Sequence, residues 1–289
     1  MKFKTIYILL LLIGVISISI YVYNLYNKHP LYYSEHYQQY IKHIHPNMYP
    51  IKIKNFDNTD LTKFSQRYLT KLTKPSINDM KILYTYISYI DKLLIDYDIS
   101  NINTLPWQFL ISDNDLEKGM PFTLDKYIVI SKKDIIQLNT RFSAYFVEIL
   151  LHEKIHVLQR LHQDTFNAFY KQLYPFLHTK IPLADIPVSI KKQYMTNPDS
   201  NFDFWMYSWQ GKIYHPYLKY DLRDKTIKDC LQCKGGVANI VTFKKTINIK
   251  YQNISIYHPN EIFAYTVSKH ILDKTLPKKI RYFLTSLDI

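Results

Sequence analysis

Two histidines and a glutamate stand together in the stretch Ile149–Arg160, which reads ILLHEKIHVLQR. His152 and His156 are four residues apart, so on a helix both imidazoles leave the same face and can grip one metal ion. Glu153 directly follows the first histidine. It sets a carboxylate beside the remaining coordination position, where it can take a proton from metal-bound water. Zinc suits imidazole and carboxylate ligands and brings the pKa of its water to about 7, which makes a nucleophile at neutral pH. Glutamate is scarce, occurring only at Glu35, Glu117, Glu148, Glu153 and Glu261 beside 11 His. A chance match to the pattern then arises in roughly one shuffled chain in a hundred. Ile149, Leu150, Leu151, Ile155, Val157 and Leu158 surround the motif, so the helix is predicted to be buried, and buried imidazoles and carboxylates need partners.

The element that carries the motif is a predicted helix from about Ser143 to Leu173, stopped by Pro175. Upstream, Thr59–Leu72 places Leu61, Phe64, Tyr68 and Leu72 on one helical face. Ser76 and Asp79 form a capping box for a second helix reaching about Tyr97. Its expected buried stripe is Met80, Leu83, Tyr84, Ile87, Ile90 and Leu94. Gly119 and Pro121 mark a turn, and Tyr127–Ser131 alternates as a strand. Downstream, Asn197-Pro198-Asp199 reads as a turn, and Phe204–Trp209 with Lys212–Tyr217 reads as a hairpin about Gln210-Gly211. Val237–Phe243 and Ile247–Ile254 are further expected strands. His258 and Pro259 open a last helix to about Leu272 that contains Glu261, Ala264, Tyr265 and Val267. The fold class is α+β.

Composition bounds the answer. With 289 residues, 47% of them hydrophobic, the chain can bury a core and is not disordered. Two cysteines exclude a disulfide framework and a four-cysteine zinc site. The net charge of +13 is spread along the chain without a nucleic-acid motif, so no nucleic-acid partner is expected. Few Gly and many Ile, Lys, Asn and Tyr fit an AT-rich coding sequence, which weakens the lysine excess as a sign of an acidic partner. Thr5–Val22 is uncharged and apolar, and about 18 residues at 1.5 Å each span roughly 27 Å, enough to cross a hydrocarbon core. Residues 1–27 are therefore expected to be a single-pass membrane anchor, 28–58 a polar stem with His36, His43 and His45, and 59–289 the catalytic domain. Lobe boundaries are set at 59–174 and 175–289. Lys2 and Lys4 before the span predict a cytosolic amino end, with the bulk of the chain lumenal, extracellular or virion-exposed. In that compartment Cys230 and Cys233 are expected to pair locally, and Asn253-Ile-Ser255 is a glycosylation sequon.

The HEKIH segment and its surroundings resemble the zincin metallopeptidases over about Pro121–Leu272. The resemblance implies a two-lobed α+β domain, a long active-site helix, zinc, and a protein or peptide substrate that pairs with an edge strand, for which Tyr127–Ser131 is placed. A looser resemblance is to zincin-like membrane proteins of large DNA viruses, which implies a rival reading as a non-catalytic membrane or virion attachment protein. Metzincins continue as HExxHxxGxxH. Here His162 takes the last position but Gln159 replaces the glycine, and in an unbroken helix His162 would lie about 9 Å along the axis from His156. Gluzincins take a glutamate from a later helix, and Glu261 fits that role, so zinc is expected on His152, His156 and Glu261 with Glu153 as general base. Tyr265 stands where some gluzincins have an Asp. Tyr265, His258, His270 and Tyr214 are candidate oxyanion donors.

Overall fold

Ser34 caps helix α1 (Glu35–His43), its side chain accepting from the Tyr37 N–H. A 3-10 turn at Pro46–Met48 and the short α2 (Tyr49–Lys52) lead to α3 (Leu61–Thr70), capped by Asp60. After β1 (Leu72–Thr73), α4 (Ile77–Asp96) opens on the expected capping box, with the Ser76 N–H donating to Asp79 Oδ2 and the Asp79 N–H to Ser76 Oγ. Its stripe leans further round than the periodicity suggested. Tyr86 and Leu93 are buried while Tyr84 is 58% exposed, because Phe142 and Phe146 pack against the Tyr86 ring. The structure, a computed structural model, describes residues 31, 34–182, 185–191, 194–200, 203–221, 226–233, 236–247 and 254–287. The expected anchor Thr5–Val22 and the sequon residue Asn253 lie outside these residues. Among the described residues no helix is long and apolar enough to cross a membrane.

The first sheet contains β1, β2 (Phe109–Ser112), β3 (Phe122–Leu124) and β4 (Tyr127–Ser131), in the order β1-β2-β4-β3. The expected strand at Tyr127–Ser131 forms, but it is not an edge. It runs parallel to β2 on one side and antiparallel to β3 on the other. A two-residue turn at Asp125-Lys126, with Asp125 at φ 55°, folds β3 back onto β4 and makes β3 the border of the sheet. Phe109, Ile111, Ile128 and Ile130 face one core, and Leu110, Val129, Phe122 and Leu124 face another. Both faces are covered, as uninterrupted apolar strands require.

The second core corrects the expected stem. Tyr37, Tyr40, Ile41, Met48 and Tyr49 are buried with Phe64 and Tyr68 against the sheet. The segment from Ser34 onward is thus a layer of the fold, because its tyrosines pack as rings while Tyr37 and Tyr40 donate their hydroxyls to Ser65 O and Glu117 Oε1.

After α5 (Lys132–Leu138) the long predicted helix breaks in two, α6 (Ala144–Leu161) and α7 (Gln163–Leu173), at His162 with φ −120° and ψ 39°. The bend brings Phe166 and Phe169 of α7 onto Phe263 and Phe283. The second sheet is an antiparallel succession of β5 (Leu177–Pro182), β6 (Asp203–Trp209), β7 (Lys212–Asp221), β8 (Thr226–Cys233) and β9 (Gly236–Val237), with α8 (Val188–Lys191) between β5 and β6. The predicted hairpin is present, with Gln210 at φ 49° and Gly211 at φ 70° in its turn. The strand expected over Val237–Phe243 is instead mostly α9 (Ile240–Thr246), because Asn239 Oδ1 accepts the Thr242 N–H and caps a helix start. Much of Ile247–Ile254 lies outside the described residues.

The last helices are α10 (Pro259–Leu272) and α11 (Lys278–Thr285). Residues of α4, α6, α7, α10 and α11 share the main core, so one core draws on both sides of the expected 174/175 boundary. The architecture is α+β.

Candidate metal centre

Ser143 opens α6 by accepting the Phe146 N–H, and neither Gly nor Pro interrupts the helix before Leu161. Its apolar residues fall on all sides, so α6 is buried and takes its polar residues inside with it. Pro259 occupies the first turn of α10 behind the cap residue His258, whose Nδ1 accepts the Asn260 N–H at 3.1 Å. Ala264 and Val267 of α10 are fully buried in the core that also holds Leu151 and Ile155 of α6. The small Ala264 lets the helices approach, and Glu261 is delivered to the histidines.

His152, His156 and Glu261 offer three donor atoms within 4.8 Å of one another, a group that can hold a metal ion. His152 Nε2 lies 3.4 Å from Glu261 Oε2, and His156 Nε2 lies 3.5 Å from Glu261 Oε1. Bonds of about 2.0–2.1 Å in a tetrahedron put ligand atoms about 3.4 Å apart, so both spacings fit one ion at the centre. The two Nε2 atoms are closer, 2.8 Å apart, and an ion between them requires a small separation. The buried His152 Nδ1 and Glu153 Oε2 have no hydrogen-bond partner among the described residues. A nitrogen, nitrogen and oxygen donor set beside an unsatisfied carboxylate fits a divalent cation with an open position.

Burial pulls the His156 imidazole down, but the charges of Glu261 and Asp199 outweigh it and hold its pKa above the ordinary value. Burial pushes the Glu261 carboxyl up, and the two histidines outweigh that and hold it well below the usual carboxylate range. Glu153 goes the other way, pushed well above that range by burial and then by the charges of Asp199 and Glu261. His152 is lowered by burial and by His156. The Glu261 charge is thus set against the imidazoles, and a divalent cation held by His152, His156 and Glu261 would supply the positive charge that a protonated His156 otherwise gives.

Several residues that shape the centre were missed by sequence reasoning. Gln159, read only as a departure from a glycine, holds His156: the imidazole Nδ1 is 2.7 Å from Gln159 Oε1, while Gln159 Nε2 donates to Tyr170 OH at 2.7 Å and Asn260 O at 3.0 Å. Its spacing of three from His156 on a helix was the available signal. Asn197 Nδ2 and Tyr257 OH both donate to Glu261 Oε1, at 2.9 and 3.0 Å, and fix the orientation of the carboxylate. Neither has a local sequence signal.

The cleft over the centre has a volume of about 410 Å³ and is bordered by Phe122 of the first sheet with Met120 and Pro121 just before it, Leu218 and Ile227 of the second sheet, and Tyr257 and Tyr265. Of the four candidate oxyanion donors, Tyr265 borders the cleft, with its ring centroid 4.1 Å from that of His152. His258, His270 and Tyr214 do not border it: His258 caps α10 through Nδ1, His270 Nδ1 pairs with Thr275 Oγ1, and Tyr214 sits in the core of the second sheet. His162 is half-buried at the α6–α7 junction and outside the ligand group.

The expected Cys230–Cys233 disulfide is also corrected. Both thiols are free and lie on β8. Three residues apart in an extended strand, they point to opposite faces with Cα atoms roughly 10 Å apart, beyond the reach of a bridge.

Comparison of the chain with protein-family models, with curated proteins and with solved structures gives no match.

Proposed function

We propose that this protein is a membrane-anchored zinc metallopeptidase. The observation that carries the reading is the convergence of His152, His156 and Glu261 from two helices, with Glu153, whose Oε2 has no hydrogen-bond partner among the described residues, lining the same cleft. Zinc, when bound, supplies a Lewis acid that acidifies water and polarises a carbonyl. Gln159 holds the His156 ring with Nε2 toward His152 and Glu261, where the three would hold the metal, and Asn197 with Tyr257 orients the Glu261 carboxylate. Glu153 takes the proton from the attacking water and returns it to the leaving amine, which keeps the amine from re-forming the bond. Tyr265 is the hydroxyl available to the developing oxyanion. The glutamate-bearing helix that meets the histidine helix supports the gluzincin-like reading. Thr5–Val22 supports the anchor, with the folded body outside the cytosol.

The test is zinc content and peptide hydrolysis of the purified full-length protein. Glu261→Ala is expected to lose zinc, and unchanged stoichiometry rejects the ligand assignment. Glu153→Gln is expected to keep zinc and lose about 10²–10⁴-fold in turnover. Retained activity rejects Glu153 as the base. Full zinc occupancy without chelator-sensitive cleavage of a peptide library favours a non-catalytic membrane or virion protein.

A further inference from the structure

The outer edge of β3 is where an extended substrate would add as a strand, and its donors are already spent. Phe122 pairs with Val129, Thr123 with Ile128 and Leu124 with Tyr127. The Thr123 N–H turns away from β4 and donates to Asp199 Oδ1 at 2.7 Å. By the alternation of an antiparallel strand, the outward amides are those of residues 121, 123 and 125. Pro121 has none. The Asp125 N–H donates to His36 Nδ1 at 3.1 Å. Just upstream, the Gly119 N–H is used by Leu116 O and the Met120 N–H by Glu117 O. A peptide laid here would leave its carbonyls unpaired, at about 1–3 kcal/mol for each one buried.

What occupies the edge is the Asn197-Pro198-Asp199 turn, and it is built in. Asp199 Oδ1 also accepts from Thr123 Oγ1 at 2.6 Å, and Asn260 Nδ2 donates to Asp199 O at 3.3 Å. Arg160 donates to Thr123 Oγ1 at 2.7 Å and to Pro198 O at 3.3 Å. Lys52 Nζ donates to Thr196 O at 2.5 Å. Thr196, Asp199 and Ser200 are each at most 4% exposed. Swinging the turn aside would strip partners from Lys52, Arg160 and Asp199 where water does not replace them. It is a wall, not a flap.

We propose that this turn sets the length of the substrate: it fills the place of a substrate strand on β3, so the cleft takes short peptides and chain ends and refuses the interior of an extended chain. The proposal rests on the peptidase reading. A cleft of about 410 Å³ suits it, close to the lower end of the roughly 300–1,000 Å³ of small-ligand sites.

The test compares kcat/KM of the zinc-loaded full-length protein on a tetrapeptide and on a long unstructured chain carrying the same four residues at its centre. Two unpaired carbonyls predict a preference of at least about 30-fold for the tetrapeptide. Asp199→Ala, which frees the Thr123 amide, is expected to narrow that ratio at least about fivefold, a change that simple unfolding cannot produce. Amide hydrogen exchange on the wild-type protein gives a reading independent of turnover. Thr123 and Asp125 are expected to exchange as slowly as Leu124 with no peptide present. Equal cleavage of the two substrates, or fast exchange at Thr123, overturns the proposal. Slow exchange at both amides with neither substrate cleaved overturns the peptidase reading instead.

Discussion

Gln159 lies one helical turn beyond His156 and meets its imidazole Nδ1 at 2.7 Å through Oε1, with both side chains fully buried. An amide oxygen can only accept, so the proton sits on Nδ1 and the lone pair on Nε2, toward Glu261 and His152.

Gln159→Leu removes that acceptor and is expected to weaken metal binding about 10–100-fold, measured by competition with a chromophoric chelator. Gln159→Glu keeps an acceptor and is expected to recover most of the affinity. If both variants bind metal like the wild type, Gln159 does not position His156.

Lys52 and Glu117 form an ion pair at 2.6 Å with side chains 1% and 3% exposed, and Tyr68 OH adds a hydrogen bond to the same carboxylate at 2.9 Å. Lys52→Met leaves the carboxylate buried without its counter-ion and is expected to cost about 3–5 kcal/mol in urea unfolding. A loss under about 1 kcal/mol would place the pair in solvent-like surroundings.

His36 bridges the β3–β4 turn and the Asn197-Pro198-Asp199 turn. Burial, and then the Arg160 charge, lower its pKa to about 2. A histidine held neutral in the fold contributes stability that is complete above its unfolded pKa of about 6.5 and is lost as pH falls from there toward 2. Between pH 6.5 and 5 the loss is expected to be about 2 kcal/mol, at about 1.4 kcal/mol per unit. Urea midpoints of wild type and His36→Gln across that interval check it, since the variant lacks this part of the slope.

Thiol titration of the denatured, unreduced protein is expected to find both cysteines free, and Cys230→Ser/Cys233→Ser to change the melting temperature little. Protection of either thiol by a bridge would contradict the β8 register that separates them.

The parts of this fold visible in the sequence are those fixed by neighbours along the chain. The Ser76–Asp79 box, the Gln210-Gly211 turn and the buried α6 each follow from a few adjacent residues. Glu261 was reachable because glutamate is so rare. The parts that were hidden depend on distant partners. β3 is three residues long and shows no period, so its place at the sheet border comes only from the Asp125-Lys126 turn and the pairing with β4. Tyr37, Tyr40 and Tyr49 look like residues of a wet stem until the sheet they cover is known. Asn197 and Tyr257 act on a carboxylate that a sequence does not bring near them.

The burial of Leu31, with 0% of its surface exposed, has a consequence for reach. Leu31 is the first described residue and stands nine residues after Val22, and nine residues fully stretched cover at most about 32 Å. On the proposed anchoring, the folded body rides on a short leash. Its targets are then selected by altitude as much as by sequence: chain ends presented close to the lipid surface come within range, and those held far above it do not.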